Sequence, residues 1–155
     1  MANPVCEVLL TDAQLNAPEN CVDPTAGARV DFQGIVRGSE DGREIEGIDY
    51  EAHWKMAEHQ LRQIAEQAMI QFELRSVIIH HRIGFVAVGE SSLFMRVFSE
   101  HRQAAFQASR WIVDELKKKV PIWKRPRFNS ENSIAGVVDA GPGSPIPATG
   151  SAATL

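Results

Sequence analysis

The spacing of apolar residues along the chain predicts two long amphipathic helices. The first helix carries apolar residues at intervals of one, three and four, which is the stripe of a single helix face. The members of this stripe are Ala57, Leu61, Ile64, Ala65, Ala68 and Phe72. The second helix should open near Ser99-Glu100, where a hydroxyl and an acid suit a helix N-terminus, and it must end before Pro121. Its predicted buried stripe consists of Ala105, Ser109, Ile112 and Leu116.

Short runs in which β-branched and aromatic residues alternate with polar ones predict β-strands. Residues 5–10 suit an edge strand, and the Thr11-Asp12 pair after them suits the cap of a brief helical turn. Residues 28–36 and the segment around Tyr50 predict a β-hairpin, because Asp41-Gly42 between them favours the positive φ of a hairpin turn. The fold class is therefore α+β. Further strands, all expected in one mostly antiparallel sheet, are predicted at residues 76–80, 85–88 and 92–99.

The composition indicates one domain and excludes several classes of protein. With 155 residues, 44% of them hydrophobic, the chain can bury one sizeable core, which we place in residues 1–128. Residues 129–155 are rich in Gly, Pro, Ser and Ala and have little to bury, so they are predicted to form a tail that is mobile in solution. No apolar run approaches the roughly 20 residues that span a bilayer, and no secretory signal is visible, so a cytoplasmic protein without membrane contact is expected.

Cysteine and charge placement narrow the chemistry further. Cys6 and Cys21 stand outside any Cys/His cluster with metal-ligand spacing, so no metal and no cofactor is predicted. The formal net charge of -4 disfavours a nucleic-acid-binding surface, which depends on Lys and Arg. Residues 110–128 nevertheless contain seven bases against two acids, which predicts a local anion site on an acidic protein. The bases are Arg110, Lys117, Lys118, Lys119, Lys124, Arg125 and Arg127.

Three places along the chain offer candidate contacts to an anion. His101-Arg102 is predicted in the first turn of the second helix, where backbone N–H groups and the helix dipole attract anions. Taken alone, this dipeptide is more simply interpreted as a surface pair, as is Arg37 near the predicted hairpin. In the last turn of the helix, Lys118 points away from the buried stripe, whereas Lys117 and Lys119 both lie beside it. Periodicity does not choose between Lys117 and Lys119, and cations in this turn also suit the helix dipole without any further role.

The segment after the second helix is predicted to bring more cations to the same place. Ile122 and Trp123 are expected to anchor it, while Lys124 and Arg125 project where the helix has just ended. Lys117 and Lys124 can thus face a shared cleft.

Six short motifs within residues 27–125 give the chain a resemblance to a known family. In their order and spacing they resemble the large, catalytic subunit of molybdopterin synthase. The motifs are Phe32-Gln33-Gly34-Ile35-Val36-Arg37; Tyr50-Glu51-Ala52 followed by Met56-Ala57; His81-Arg82-Ile83-Gly84; Gly89-Glu90; His101-Arg102 with Ala105-Phe106; and Leu116-Lys117 with Pro121-Ile122-Trp123-Lys124.

The resemblance implies a fold, an assembly and a reaction. The fold would be an α/β hammerhead with an additional antiparallel β-sheet, and the assembly a homodimer at the centre of a heterotetramer with two small ubiquitin-like subunits. Each small subunit would insert a C-terminal Gly-Gly thiocarboxylate, whose sulfur passes to cyclic pyranopterin monophosphate. Two such transfers would build the dithiolene of molybdopterin, in the biosynthesis of the molybdenum cofactor.

The resemblance also implies roles for particular residues. Lys117 matches the catalytic lysine of the family, and Lys124 is the second residue expected to act in catalysis. The substrate contacts implied by the resemblance are Ile35, Val36, Arg37, His101, Arg102, Lys117, Lys124 and Arg125. Fixed cations suit this chemistry, because a phosphate, a thiocarboxylate and a developing oxyanion meet in one place.

The chain departs from the family pattern after Arg125. Many members have Glu at the next position and a further basic segment, whereas this chain has Pro126 and then the Ser-, Gly- and Pro-rich tail. An alternative hypothesis is therefore a binding module of the same fold that docks the small subunit without turnover.

Overall fold

A computed structural model describes residues 5–19 and 22–129 of the chain. Within these residues the chain forms eight strands and two helices, which confirms the predicted α+β class. In chain order they are β1 (Val5–Thr11), β2 (Ala28–Ile35), β3 (Ser39–Glu40), β4 (Arg43–Ala52), α1 (Trp54–Gln71), β5 (Ser76–Arg82), β6 (Gly84–Ala87), β7 (Ser91–Ser99), α2 (Arg102–Lys119) and β8 (Ile122–Phe128). The tail predicted at residues 129–155 lies outside the described residues, apart from Asn129.

Both predicted helices are present and bury the predicted stripes. Helix α1 buries Ala57, Leu61, Ile64, Ala65 and Ala68. Phe72 follows this helix as its C-cap and packs against the core. Helix α2 buries Ala105, Ser109, Ile112 and Leu116, together with Ala108.

The start of α2 differs from the prediction. The helix begins at Arg102, and His101 is its N-cap residue. The Ser99 hydroxyl donates a hydrogen bond to the carbonyl oxygen of His101, so it is directed at the chain before the helix and not at the N–H groups of the first turn. Ser99 and Glu100 therefore precede the helix and do not cap it.

The first sheet has the strand order β1-β5-β7-β2 and packs one face against both helices. β1 runs parallel to β5 at the edge of the sheet, as predicted for an edge strand, and the other pairs are antiparallel. The helical turn predicted after β1 is wrong, because the chain bends there, with the Ala13 N–H donating to the Thr11 hydroxyl at 3.0 Å. The buried face of the two central strands is apolar over Val77, Ile79, Leu93, Met95 and Val97.

A second, antiparallel sheet, with the order β3-β4-β6 and with β8 paired to β4, is the additional sheet that the family resemblance implies, and it corrects two predictions made from the strand patterns. The single sheet is wrong, because β6 pairs with β4 and not with its sequence neighbours β5 and β7. The Asp41-Gly42 turn is confirmed, with φ values of 51° and 76°, but it joins β4 to the two-residue β3. β2 instead pairs antiparallel with β7 in the first sheet. Alternating apolar residues identify the buried face of a strand, but they do not specify which strand lies beside it.

Strand β8 has no counterpart among the predicted elements. Ile122 is 1% exposed and anchors the strand, whereas Trp123 is 39% exposed, so the prediction of two apolar anchors is wrong. Pro126 lies opposite Ile48 on β4. Among the described strands, β8 pairs only with β4, and such an edge position tolerates the missing N–H of a proline.

One histidine lies entirely inside the core. His81, on β5, is 0% exposed, and its Nδ1–H donates to the carbonyl oxygen of Arg82 at 2.8 Å. Its ring meets the Tyr50 ring edge-on, with 5.4 Å between the ring centroids. Burial lowers the pKa of His81 to about 4, because the charged imidazolium would lose its hydration, and the hydrogen bond to Arg82 opposes this only in part.

We predict that His81 makes the protein less stable as the pH falls from 7 to 5. Over this range the histidine of the unfolded chain gains a proton and that of the folded chain does not, so the free energy of unfolding should fall by about 2 kcal/mol from this group. Urea unfolding at both pH values and one protein concentration should show a much smaller fall for His81→Gln. His59→Gln, which removes an exposed histidine of α1, is the matched control substitution. The same pH dependence in His81→Gln and wild type would contradict the prediction.

Candidate active site

A cleft of about 370 Å³ opens where the two sheets and the second half of α2 meet. This volume lies within the range of small-molecule sites, roughly 300–1,000 Å³. Seven segments of the chain contribute to it: β2, the loop after β2, β3, β4, the start of β7, α2 and β8. The lining residues are Phe32, Gln33, Gly34, Ile35, Val36, Arg37, Glu40, Ile48, Tyr50, Ser92, Leu93, Val113, Lys117 and Lys124.

The cleft is lined by both apolar residues and cations. The apolar residues include Phe32, Ile48, Leu93 and Val113. Tyr50 also lines the cleft, and its hydroxyl is hydrogen-bonded to Ser92. Apolar residues of this kind suit a flat organic ring, and cations in the same cleft suit an anionic substituent.

The cleft gathers three cationic residues that are far apart in the sequence. Arg37 comes from the loop after β2, Lys117 from the last turns of α2, and Lys124 from β8. Glu40 at the end of β3 lies among them, with its Oε1 3.1 Å from the Lys124 Nζ and its Oε2 3.8 Å from the Arg37 Nη2. The structure thus brings together Arg37, Lys117 and Lys124, the shared cleft that the sequence predicts for Lys117 and Lys124.

The structure also separates the two lysines that periodicity could not distinguish. Lys117 lines the cleft, whereas Lys119 lies over a different groove against α1. The Lys119 Nζ is 2.7 Å from the Glu115 Oε2 one helical turn earlier. Of these two lysines, Lys119 therefore belongs to the end of the helix and Lys117 to the cleft.

Two predicted substrate contacts lie far from this cleft within the chain. His101 and Arg102 are exposed at the N-terminal end of α2, where the His101 Nε2 is 3.7 Å from a Glu100 oxygen. Fifteen helical residues separate Arg102 from Lys117, which corresponds to about 22 Å along the helix axis. One copy of the chain therefore does not bring His101 and Arg102 to the cleft.

Of the other predicted contacts, Ile35, Val36 and Lys124 lie in the cleft and Arg125 does not. Ile35 and Val36 line the cleft, and Val36 is held there by backbone hydrogen bonds to Gly89 and Glu90. Lys124 and Arg125 are consecutive on β8, so their side chains point to opposite faces of the sheet. Arg125 is exposed and its Nη2 is 3.4 Å from the Glu51 Oε2, away from the cleft.

Sequence reasoning missed the carboxylate of the cleft. Glu40 precedes the Asp41-Gly42 turn, a position where an acid is usually solvated, and its own sequence gives no sign that its side chain turns inward. Ser92 and Val113 were missed as well, because they lie in predicted elements whose relative placement was unknown. In the described residues no group of three or more His, Cys, Asp or Glu is placed to hold a metal ion, and neither helix is long and apolar enough to cross a membrane.

The fold and the cleft define a class of protein: an α+β domain with a cleft between two sheets, lined by three cations and several apolar residues. The family model described as MoaE protein matches residues 10–119, so the chain belongs to the MoaE family. That match includes Arg37, His101, Arg102 and Lys117, and it ends before β8.

Curated relatives and solved structures agree with this family. The chain is 40% identical over 109 residues to a molybdopterin synthase catalytic subunit of Thermoplasma volcanium, covering 70% of this chain and 80% of the relative. The human protein of the same name is 33% identical over 115 residues, covering 74% of this chain and 61% of the relative. The crystal structure of a Staphylococcus aureus molybdopterin synthase matches with a TM-score of 0.73 and 29% identity, over 78% of this chain and 90% of that one. A Helicobacter pylori complex of subunits 1 and 2 of molybdopterin-converting factor shares the fold, with a TM-score of 0.58 and 19% identity, over 83% of this chain and 92% of that one.

Tyr50 offers a direct probe of the charge inside the cleft, because it is the single tyrosine of the chain. Burial raises the pKa of Tyr50, and the nearby Glu40 carboxylate raises it further, while the hydrogen bond with Ser92 acts in the opposite direction. We predict that Glu40→Gln lowers the pH at which Tyr50 ionises, since the repulsion between carboxylate and phenolate is removed. The measurement is the tyrosinate absorbance as a function of pH. Glu44→Gln, on the exposed side of the same hairpin, should leave the titration unchanged, and an unshifted curve for Glu40→Gln would show that the carboxylate does not act on the cleft.

Proposed function

We propose that this chain is the catalytic subunit of a molybdopterin synthase, a sulfurtransferase of molybdenum cofactor biosynthesis. The observation that carries the proposal is the convergence of Arg37, Lys117 and Lys124 in one cleft of a chain that belongs to the MoaE family. The partner is a small ubiquitin-like subunit with a C-terminal Gly-Gly thiocarboxylate, and the substrate is cyclic pyranopterin monophosphate. The complex of two subunits seen for the Helicobacter pylori protein supports a partner of this kind. We place the activity in the cytoplasm.

The cleft fits the substrate because it offers both apolar residues and cations. The pterin ring packs against the apolar residues, among them Phe32 and Val113. The phosphate lies toward Arg37, on the loop after β2, and Lys124, on β8, which supply charge-assisted hydrogen bonds. The thiocarboxylate end of the partner reaches Lys117 at the end of α2.

The transfer itself breaks one carbon–sulfur bond and forms another. The sulfur of the thiocarboxylate bonds to an oxygen-bearing side-chain carbon of the substrate while the carbon–oxygen bond there breaks and the oxygen leaves, with a proton, as water. The partner's acyl carbon is then part of a thioester. Water then adds to that acyl carbon, and collapse of the tetrahedral oxyanion leaves sulfur on the substrate and a carboxylate on the partner. The Lys117 ammonium stabilises this oxyanion, and Lys124 completes the positive charge around the substrate.

The homodimer enters the proposal through His101 and Arg102. Because these residues lie about 22 Å along α2 from Lys117, we propose that a second copy of the chain brings its own His101 and Arg102 to the cleft. Each dimer then contains two complete sites. Arg125 remains a proposed contact only for a ligand that extends beyond the cleft, since its side chain lies on the other face of β8.

The non-catalytic alternative rested on the chain after Arg125. Pro126 continues β8 in register with β4 and leaves Lys124 in the cleft, which supports an intact site up to that position. The altered tail lies outside the described residues.

We predict that Lys117→Ala lowers the rate of sulfur transfer by roughly a hundred- to a thousandfold, the usual effect of removing one preorganised donor to an oxyanion. Lys124→Ala should have the second largest effect. The measurement is single-turnover conversion of cyclic pyranopterin monophosphate with a thiocarboxylated small subunit, after equal thermal stability has been confirmed. Lys118→Ala, exposed on the same helical turn, is the matched control and should change the rate little. A larger loss for Lys119→Ala than for Lys117→Ala would contradict the assignment.

A second prediction tests whether one site uses two copies of the chain. Arg102→Ala and Lys117→Ala should each be nearly inactive alone, since each removes one part of every site. Refolded together in equal amounts, half of the dimers would be mixed and would hold one intact site of two, so about a quarter of the wild-type rate should return. If the mixture is no more active than the mean of the two variants, the prediction is contradicted. Arg102 and Lys117 would then belong to the same site of one copy, or Arg102 would not belong to the site at all.

A further inference from the structure

Glu40 occupies an unusual position for an acid beside a hairpin turn. Its neighbours Ser39 and Asp41 are exposed, as expected at the tip of a hairpin, but the Glu40 side chain is only 17% exposed and turns into the cleft. A carboxylate in such a place loses much of its hydration, so its ion pairs must compensate.

The two oxygens of Glu40 meet two different cations of the cleft. Oε1 is 3.1 Å from the Lys124 Nζ, whose own side chain is 15% exposed, and Oε2 is 3.8 Å from the Arg37 Nη2. The carboxylate therefore sits between a lysine and an arginine in the manner of a bound oxyanion. A phosphate or carboxylate ligand that used both cations would need the same place.

The backbone that carries Glu40 has little holding it in position. β3 consists of two residues, paired with Glu44 and Arg43 across the Asp41-Gly42 turn. The Ile45 N–H donates to the Gly38 carbonyl oxygen at 3.1 Å just before β3, so a movement confined to the residues beyond it breaks few hydrogen bonds. Lys124 lies on β8, which pairs with β4 along its length, whereas the Arg37 side chain is 79% exposed on a backbone held at Val36 by Gly89 and Glu90. A movement of the turn or another Glu40 rotamer thus withdraws the carboxylate from Lys124.

We propose that Glu40 is a tethered competing anion, which occupies the oxyanion site between Arg37 and Lys124 until a ligand displaces it. This assignment rests on the proposed function, in which those cations receive an anionic ligand. In the empty cleft Glu40 neutralises part of the charge of the two cations and so weakens the binding of simple anions. A ligand with further contacts in the cleft overcomes the competition, so Glu40 favours the complete substrate over free phosphate.

The test is the affinity of the intact chain for two simple oxyanions, measured by NMR titration of the ¹⁵N-labelled protein at constant ionic strength. The probes are inorganic phosphate and a short peptide that ends in Gly-Gly with a free carboxylate. Glu40→Gln keeps the shape of the side chain and removes its charge. We expect it to bind at least one probe about tenfold more tightly than wild type, the effect of removing one like charge a few ångströms away in a solvent-accessible cleft. The probe whose affinity rises identifies which ligand group uses the site.

Glu44→Gln is the matched control. It lies on the same hairpin, is exposed, and changes the net charge by the same amount, so its affinities should stay within about twofold of wild type if general electrostatics contribute little. Unchanged or weaker binding of both probes by Glu40→Gln, or an equal gain in Glu44→Gln, would overturn the proposal. The proposed function is tested by the sulfur-transfer assay of the wild-type chain, which does not depend on these binding measurements. Failure of the role proposed for Glu40 and failure of the proposed function are therefore distinguishable.

Discussion

The close approach of β2 to β7 at Gly34 is the constraint on which the rest of the site depends. A side chain at this position would put its Cβ 3.3 Å from the Leu93 Cβ, a tight contact, and the Ser92 hydroxyl donates to the Gly34 carbonyl oxygen at 3.2 Å. The register of the pair shifts between Gly34 and Ile35, where Ser92 is the extra residue on β7, and β2 ends at Ile35. Arg37 lies in the cleft because the chain leaves the sheet at this point.

The segment that follows is held by a second set of contacts. Val36 exchanges backbone hydrogen bonds with Glu90 and Gly89 at the turn between β6 and β7. Glu90 in turn accepts from the Arg82 side chain at 2.6 Å and from the Ala87 N–H at 3.2 Å, and these bonds hold the pKa of its carboxyl below the usual value. The His81-Arg82 and Gly89-Glu90 motifs thus act on packing and turn geometry, while the motifs around Arg37 and Lys117 supply the cleft itself.

The sequence was most informative where a pattern is local. Helix periodicity placed both buried stripes, and the Asp41-Gly42 turn was correct because its φ values depend on two residues alone. Strand partners depend on the packing of the whole chain, and so β2 was paired with the wrong strand. Strand β8 was not predicted because its residues between Ile122 and Phe128 are mostly charged. It is stabilised by pairing with β4, and such a strand needs no alternation of apolar residues.

The residues of the site were likewise predictable where the signal is local and not where it depends on packing. The resemblance to a family identifies Arg37, Lys117 and Lys124. Periodicity alone does not separate Lys117 from Lys119, and packing does, because Lys117 lines the cleft and Lys119 lies over another groove. Pro121 ends α2 at a fixed point, and β8 then returns antiparallel to β4, so one helix position and one strand position face each other. A shift of one residue on β8 would exchange Lys124 for Arg125, because neighbouring side chains of a strand point to opposite faces. The register of an otherwise polar edge strand therefore decides which cation the cleft contains, and Ile122, buried at the first position of that strand, is the residue that fixes the register.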